Sequence, residues 1–253
     1  FFFISFSSFA QGPGCPNVNA GEDVELDCDE PCTDLSATFL QTGETTSYEV
    51  TSIPYEPPFP ATGGTPVSVN TDDVWSPTIS LPFEFCFFGE SYDEMLIGSN
   101  GVVTFDLITN DPGGYCAWSF DESVPDSNLF LNTIFGPYMD IDPSVPGSGQ
   151  INWTVFGDAP CRTMVVNFPS IPYFSCNNLN MTTQIVMYET TNVVEVYLEN
   201  RTSGCAWNDG NAVLGIQNQD ASVGFVAPGR NTGDWAAIEE AWRFTPNGES
   251  NVD

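Results

Sequence analysis

FEFCFFGESYDEMLIGSNGVVTF, residues 83–105, decides the fold of this chain. Its first part alternates, placing Phe83, Phe85 and Phe87 on one side of an extended strand. Two apolar runs, Met95-Leu96-Ile97 and Val102-Val103-Thr104-Phe105, then flank Gly98-Ser99-Asn100-Gly101. Asn-Gly between apolar runs is a strong hairpin signal, because both residue types accept positive φ. Asn100 and Gly101 are therefore read as structural residues of a β-hairpin.

Further strands are read outward, with clean alternation in Gln150–Phe156, Arg162–Phe168 and Val193–Glu199. Ser47–Ile53 lies upstream, and Thr133–Tyr138, Gln150–Phe156, Arg162–Phe168, Met181–Tyr188, Val193–Glu199, Ala212–Gln217, Val223–Val226 and Ala241–Phe244 lie downstream. Turn residues separate them, and no stretch keeps a helical period, although Asp234–Glu240 has room for one or two helical turns. This predicts an all-β protein, an antiparallel β-sandwich with long loops. The expected organisation is a signal-peptide remnant over residues 1–10 and a β lead-in with a Pro-rich linker over 11–66. The sandwich is expected over 67–246, with the start of a linker to further domains over 247–253. The lead-in contains expected strands at Glu22–Cys28 and Asp34–Leu40.

Charge narrows the function. The chain carries 34 acidic residues against 4 basic ones, a formal −30, with no His; its cations are Arg162, Arg201, Arg230 and Arg243. Such a surface repels phosphate backbones and anionic lipid heads, so neither nucleic acid nor direct membrane insertion is expected. Without His or Lys, Ser-His-Asp, Cys-His and Schiff-base chemistry are excluded, as are His-based zinc sites. Paired carboxylates and oxygen-ligated metals remain. No carboxylate pair stands out, and no enzymatic activity is expected. Arg162 and Arg243 lie in strands, which points to structural pairing with acids.

Residues 1–10, FFFISFSSFA, read as the end of a secretory signal, so an oxidising compartment is expected. Eight cysteines, Cys15, Cys28, Cys32, Cys86, Cys116, Cys161, Cys176 and Cys205, are then disulfide candidates. Cys28 with Cys32, or either with Cys15, and a cluster among Cys116, Cys161, Cys176 and Cys205 are the expected groupings; the sequence does not fix the connectivity.

Phe88-Gly89-Glu-Ser-Tyr92, Ile97 to Phe105 and Ile134-Phe-Gly-Pro-Tyr-Met-Asp140 resemble the opening of the nidogen-like (NIDO) extracellular domain. Gly149-Gln-Ile151 and Arg162-Thr-Met-Val-Val166 are similar to its later strands. In that resemblance Gly89 and Tyr92 are structural. Gln184–Asn192, Trp207-Asn-Asp-Gly210, Gly215-Ile-Gln-Asn218, Gly229-Arg-Asn231 and Ala241-Trp-Arg-Phe244 further resemble the N-terminal module of large secreted surface proteins of gliding bacteria. Those proteins carry a gliding-motility-associated C-terminal sorting domain, so the resemblance implies type IX secretion and a larger parent polypeptide.

Asp140 and Asp142, with Asp121, Asp126 and Asp158 near in the chain, are candidate calcium ligands, because Asp-x-Asp before a Pro-Gly turn supplies oxygen donors. No cofactor is demanded; calcium is the one candidate. Asn208-Asp-Gly210 is a weaker ligand loop, and Trp118, Trp153, Trp207 and Trp235 are candidates for either core packing or a sugar platform. The expected function is that of a secreted, non-catalytic cell-surface adhesion or interaction module binding an extracellular protein or glycan through exposed loops. The alternative is a carbohydrate-binding accessory module of a secreted enzyme, which requires coplanar exposed rings.

Overall fold

The structure, a computed structural model, describes residues 15, 18–19, 32–34, 37–39, 42–67 and 70–249. The expected strand Glu22–Cys28, the signal remnant and Cys28 itself lie outside the described residues. β1 (Val18–Asn19) and β2 (Thr38–Phe39) form a two-stranded ribbon. The sandwich strands are β3 (Glu44–Ile53), β4 (Thr65–Pro66), β5 (Ile79–Phe87), β6 (Glu90–Gly98), β7 (Val102–Thr104) and β8 (Thr133–Tyr138). They continue with β9 (Asn152–Phe156), β10 (Thr163–Pro172), β11 (Asn180–Tyr188), β12 (Val194–Arg201), β13 (Val213–Gln217), β14 (Gly224–Asn231) and β15 (Ala237–Gly248). A seven-stranded antiparallel sheet, β3-β15-β12-β11-β10-β9-β4, faces a six-stranded one, β14-β13-β8-β7-β6-β5. The fold is the expected β-sandwich.

Between the sheets lies one apolar cluster, in which Phe83, Phe85, Phe87 and Phe105 from the small-sheet side meet Met164, Val166, Phe168, Ile185, Val196 and Phe244 from the other. Phe85 and Tyr92 stack on Phe105 at 5.6 and 5.0 Å, and Phe87 meets it tilted at 5.1 Å. The stretch 83–105 therefore supplies the aromatic centre, but its turns differ from expectation. The two-residue turn is Phe88-Gly89, both with positive φ (49° and 87°), between paired Phe87 and Glu90. A bulky Phe88 tolerates this backbone because its ring packs against Tyr48 at 5.1 Å and Phe87 at 4.7 Å. At 98–101 the connection is a three-residue turn between paired Gly98 and Val102, and only Gly101 is left-handed. A Cβ on Gly101 would fall on the Pro137 carbonyl oxygen, so glycine is required twice over.

Both sheets are covered on their outer faces as well. The loop after β7 lays Phe120, Val124 and Leu129 over Leu96, Val102, Phe135 and Val213. Tyr55 and Phe59, from the Pro-rich stretch, cover Val165, Val186, Tyr188 and Tyr197 on the large sheet. That stretch is anchored by an amide ladder: Asn152, Asn167 and Gln184 are cross-strand neighbours, and their amides bond one another and the carbonyls of Phe59, Pro60 and Ala61. Because β3 pairs along β15 and β4 along β9, residues 44–66 belong to the sandwich, which begins at Glu44 and not at residue 67. No helix forms over Asp234–Glu240: Ala237 and Ile238 pair with Arg201 and Asn200, and the ladder outweighs local helix propensity.

Two disulfides are present among the described residues. Cys176–Cys205 joins two members of the expected late cluster, with Cα atoms 6.0 Å apart. Cys15 pairs with Cys161, not with Cys28 or Cys32, and so staples the N-terminal segment to the β9–β10 turn. Cys32 is exposed, Cys86 half-buried and Cys116 buried, none with a disulfide partner among the described residues. The four arginines each meet a carboxylate: Arg162–Glu189, Arg201–Asp234, Arg230–Glu240 and Arg243–Glu195. Arg162 also caps the Pro82 carbonyl and lies over the Phe83 ring.

Gly101→Ala and Gly147→Ala make a matched test of the hairpin. Both positions are left-handed, which costs an alanine ~1–2 kcal/mol, but only Gly101 has backbone in the way. Urea midpoints should place Gly101→Ala clearly below Gly147→Ala; equal losses would remove the Pro137 contact from the account.

Candidate functional site

Asn100 is wholly buried in the β6–β7 turn, and its amide organises the surroundings. Its Nδ2 donates to Asp73 Oδ1 (3.0 Å) and to the Cys116 and Ala117 carbonyls (3.2 and 3.3 Å). Its Oδ1 accepts from the Ile141 N–H (3.3 Å), and its carbonyl from the Met139 N–H (3.2 Å). Three segments remote in sequence thus converge: Asp72-Asp73, the loop at Tyr115–Ala117, and the end of β8 at Met139–Ile141. Serines fix the first of these, since the Val74 N–H donates to Ser99 Oγ and the Ile97 N–H to Ser76 Oγ.

The convergence places the side-chain oxygens of Asp72, Asp73 and Asp140 within 4.8 Å of one another. Asp140 is only 5% exposed, and Asp72 and Asp73 are half-buried. Trp207 Nε1 donates to Asp140 Oδ2 at 2.6 Å, while Asp140 Oδ1 and Asp72 Oδ1 are buried without a hydrogen-bond partner. Burial, then the neighbouring carboxylates, push the Asp72 carboxyl up to about 7. Burial likewise raises Asp140 to about 7 against the opposing Trp207 hydrogen bond, and raises Asp73 against that of Asn100. All of the donors are carboxylate oxygens, the set that hard cations take.

Of the expected pair, Asp140 is in this cluster. Asp142 stands outside it, with its Oδ1 accepting from the Ser144 N–H and Oγ at 2.8 and 2.5 Å. Asp126 Oδ1 accepts from the Asn128 N–H, and the Asp158 carbonyl closes a turn with Cys161. Asn208-Asp209 forms a short 3-10 turn beside the cluster, and Asp209 lines a separate open groove of ≈ 410 Å³ with Asp121 and Glu122. The sequence reading missed Asp72 and Asp73: an acidic doublet 67 positions before Asp140 carries no spacing signal, and only the Asn100 bridge brings it in. Of the four candidate tryptophans, Trp153 and Trp235 pack against the central core. Trp118 and Trp207 lie 5.2 Å apart and tilted by 33°, so the rings are not coplanar.

A model of NIDO-related sequences matches residues 47–244. The chain belongs to the NIDO-related family. No curated protein and no solved structure matches it. The NIDO-related match starts within β3 and ends within β15, the two strands that pair in the large sheet, so it spans the sandwich and includes the acidic cluster.

A carboxyl whose folded value is raised stabilises the protein while protonated, and this contribution is lost as pH rises through the folded value. In chelator-treated buffer the melting temperature should therefore fall as pH rises from the ordinary carboxylate range through about 7. Asp140→Asn, which never ionises, should fall less, so the gap between the variant and the wild type widens in its favour. A constant gap in differential scanning fluorimetry across that range would refute the burial argument.

Proposed function

We propose that this NIDO-related chain is a non-catalytic interaction module of a secreted surface protein, holding extracellular partners through exposed loops. The observation that carries the reading is the family match across residues 47–244. It is supported by the Cys176–Cys205 disulfide, which belongs to an oxidising compartment, and by the acidic surface at formal −30. Among the described residues no helix is long and apolar enough to cross a membrane. The loop after β7 presents Ile108 and Tyr115 at 95% and 66% exposure, apolar and aromatic contact surface of the kind that binding loops use. The resemblance of Gln184–Asn192 and Ala241–Phe244 to surface proteins of gliding bacteria supports export by the type IX route as part of a larger polypeptide.

A catalytic reading finds less support. The cavity beside Asp140, between Tyr173, Arg201, Cys205 and Trp207, is of water size. The tilted Trp118–Trp207 pair also fits packing better than a sugar platform.

Surfaces coated with the oxidised chain should retain cells under flow, above the level given by reduced and alkylated chain. Turnover of chromogenic glycosides and peptides should stay at the rate without protein. Absence of retention, or turnover abolished by Asp140→Asn, would overturn the reading. Inhibition of retention by soluble glycans would favour the carbohydrate-binding alternative.

A further inference from the structure

We propose that Asp72, Asp73 and Asp140, drawn together by Asn100, form a binding site for a divalent cation of the calcium class. The first observation is the cluster itself, three carboxylates with ligand atoms within 4.8 Å. The second is independent of it: Asp140, 5% exposed, has an Oδ1 with no hydrogen-bond partner, and Asp72 Oδ1 is orphaned in the same way. A buried carboxylate oxygen without a donor is costly unless a cation or a donor meets it.

Charge accounting excludes the protein's own cations. The chain has four basic residues and no His. Arg162, Arg230 and Arg243 are held by Glu189, Glu240 and Glu195. Arg201 lines the cavity next to Asp140 but turns to the Gly210 carbonyl and to Asp234. No side-chain cation is left for the cluster. Glu195 shows what a satisfied buried acid looks like here: it is 0% exposed, and it accepts from Tyr188 Oη, Tyr197 Oη and Arg243 Nε at 2.7, 2.8 and 2.6 Å. Asp140 has one indole N–H in place of that full set.

The donor chemistry selects the ion. No thiolate or imidazole belongs to the group, so soft and borderline metals lack their preferred ligands. Two carboxylates come from adjacent residues and the third from a separate segment, an irregular set suited to the flexible coordination of calcium. Magnesium demands near-ideal octahedral geometry and keeps its water. Oxygens of Asp73 and Asp140 already engaged by Asn100 and Trp207 act as second contacts that orient each carboxylate, with water completing the shell.

The inference does not rest on the interaction reading, and cell retention measured separately keeps the two distinguishable. The test uses the oxidised 253-residue chain, stripped with chelator. Terbium, a calcium mimic, should luminesce on excitation of Tyr115, Trp118 and Trp207, and excess calcium should quench that signal. Calcium should raise the melting temperature where magnesium and sodium chloride of equal ionic strength do not. Asp72→Asn and Asp140→Asn should each weaken calcium binding by roughly tenfold or more, the scale for loss of even an outer partner of a metal site. Glu84→Gln, a charge removed from an exposed position on β5, should bind as wild type. If Asp140→Asn does not fold, Asp72→Asn at its half-buried position decides the matter. Unchanged affinity in the folded variants, or a thermal shift reproduced by magnesium or salt, would overturn the proposal.

Discussion

The buried amide of Asn100 is the constraint on which this end of the sandwich depends. It donates to three oxygens and accepts from one N–H, and its own carbonyl accepts another. An amide with no solvent exposure must satisfy these bonds within the protein, and doing so leaves only one placement for the segments around it. The turn that carries Asn100 is itself pinned, because Gly101 is left-handed and its Cα lies against the Pro137 carbonyl. Backbone geometry in β6–β7 thus dictates where Asp73 and Asp140 stand. The acidic cluster is a consequence of how the core hairpin is closed, not a loop decoration added to it.

Charge distribution follows a second constraint. With 34 acids and 4 bases, most carboxylates must rely on solvent, and the few arginines are spent where burial is deepest or strand ends need fixing. Arg243 goes to the wholly buried Glu195 on the outer face of the large sheet. Arg201 and Arg230 lie against the Trp235 ring, at 4.5 and 4.9 Å, and tie β12 and β14 to β15 and the loop before it. Each placement serves the sheets. The cluster at Asp72, Asp73 and Asp140 receives none, which separates it from every other partly buried acid that the arginines hold.

The strands were legible because the exposed or half-exposed ones alternate and the turns are rich in Gly, Pro and Asn. β8, expected at Thr133–Tyr138, forms over that range. Other features were hidden for physical reasons. Alternation assumes one wet face, yet Glu195 and Tyr197, on the side opposite Val194 and Val196, are buried because Tyr55 and Phe59 lie across that face. The Pro-rich composition of 54–66 reads as a linker, and nothing in it announces that Asn152, Asn167 and Gln184 will hold it down. The two-residue turn falls on Phe88-Gly89, where a phenylalanine is a poor turn former and the packing of its ring among Tyr48, Phe87 and Phe225 makes it acceptable. Two of the three members of the acidic cluster, Asp72 and Asp73, were invisible because a three-dimensional amide bridge, and no sequence spacing, assembles it.

The disulfide and the acidic cluster are parts of one arrangement. Cys176 lies two residues after Phe174, whose N–H donates to the Asp140 carbonyl and whose ring lies 4.9 Å from Trp207. Cys205 lies two residues before Trp207, whose indole fixes Asp140 Oδ2. The bridge therefore ties together the two loops that wall Asp140, the first of which also pairs Tyr173 with Ile141 in an isolated β-bridge. Cys205 belongs to the central core cluster and Cys176 packs against it, so the bridge anchors to that core both walls of Asp140, whose Oδ1 has no partner. The two walls of Asp140 thus share one covalent tie, of the kind that persists in an oxidising environment. Disulfide and acidic cluster then share the same two loops, one after β10 and one after β12.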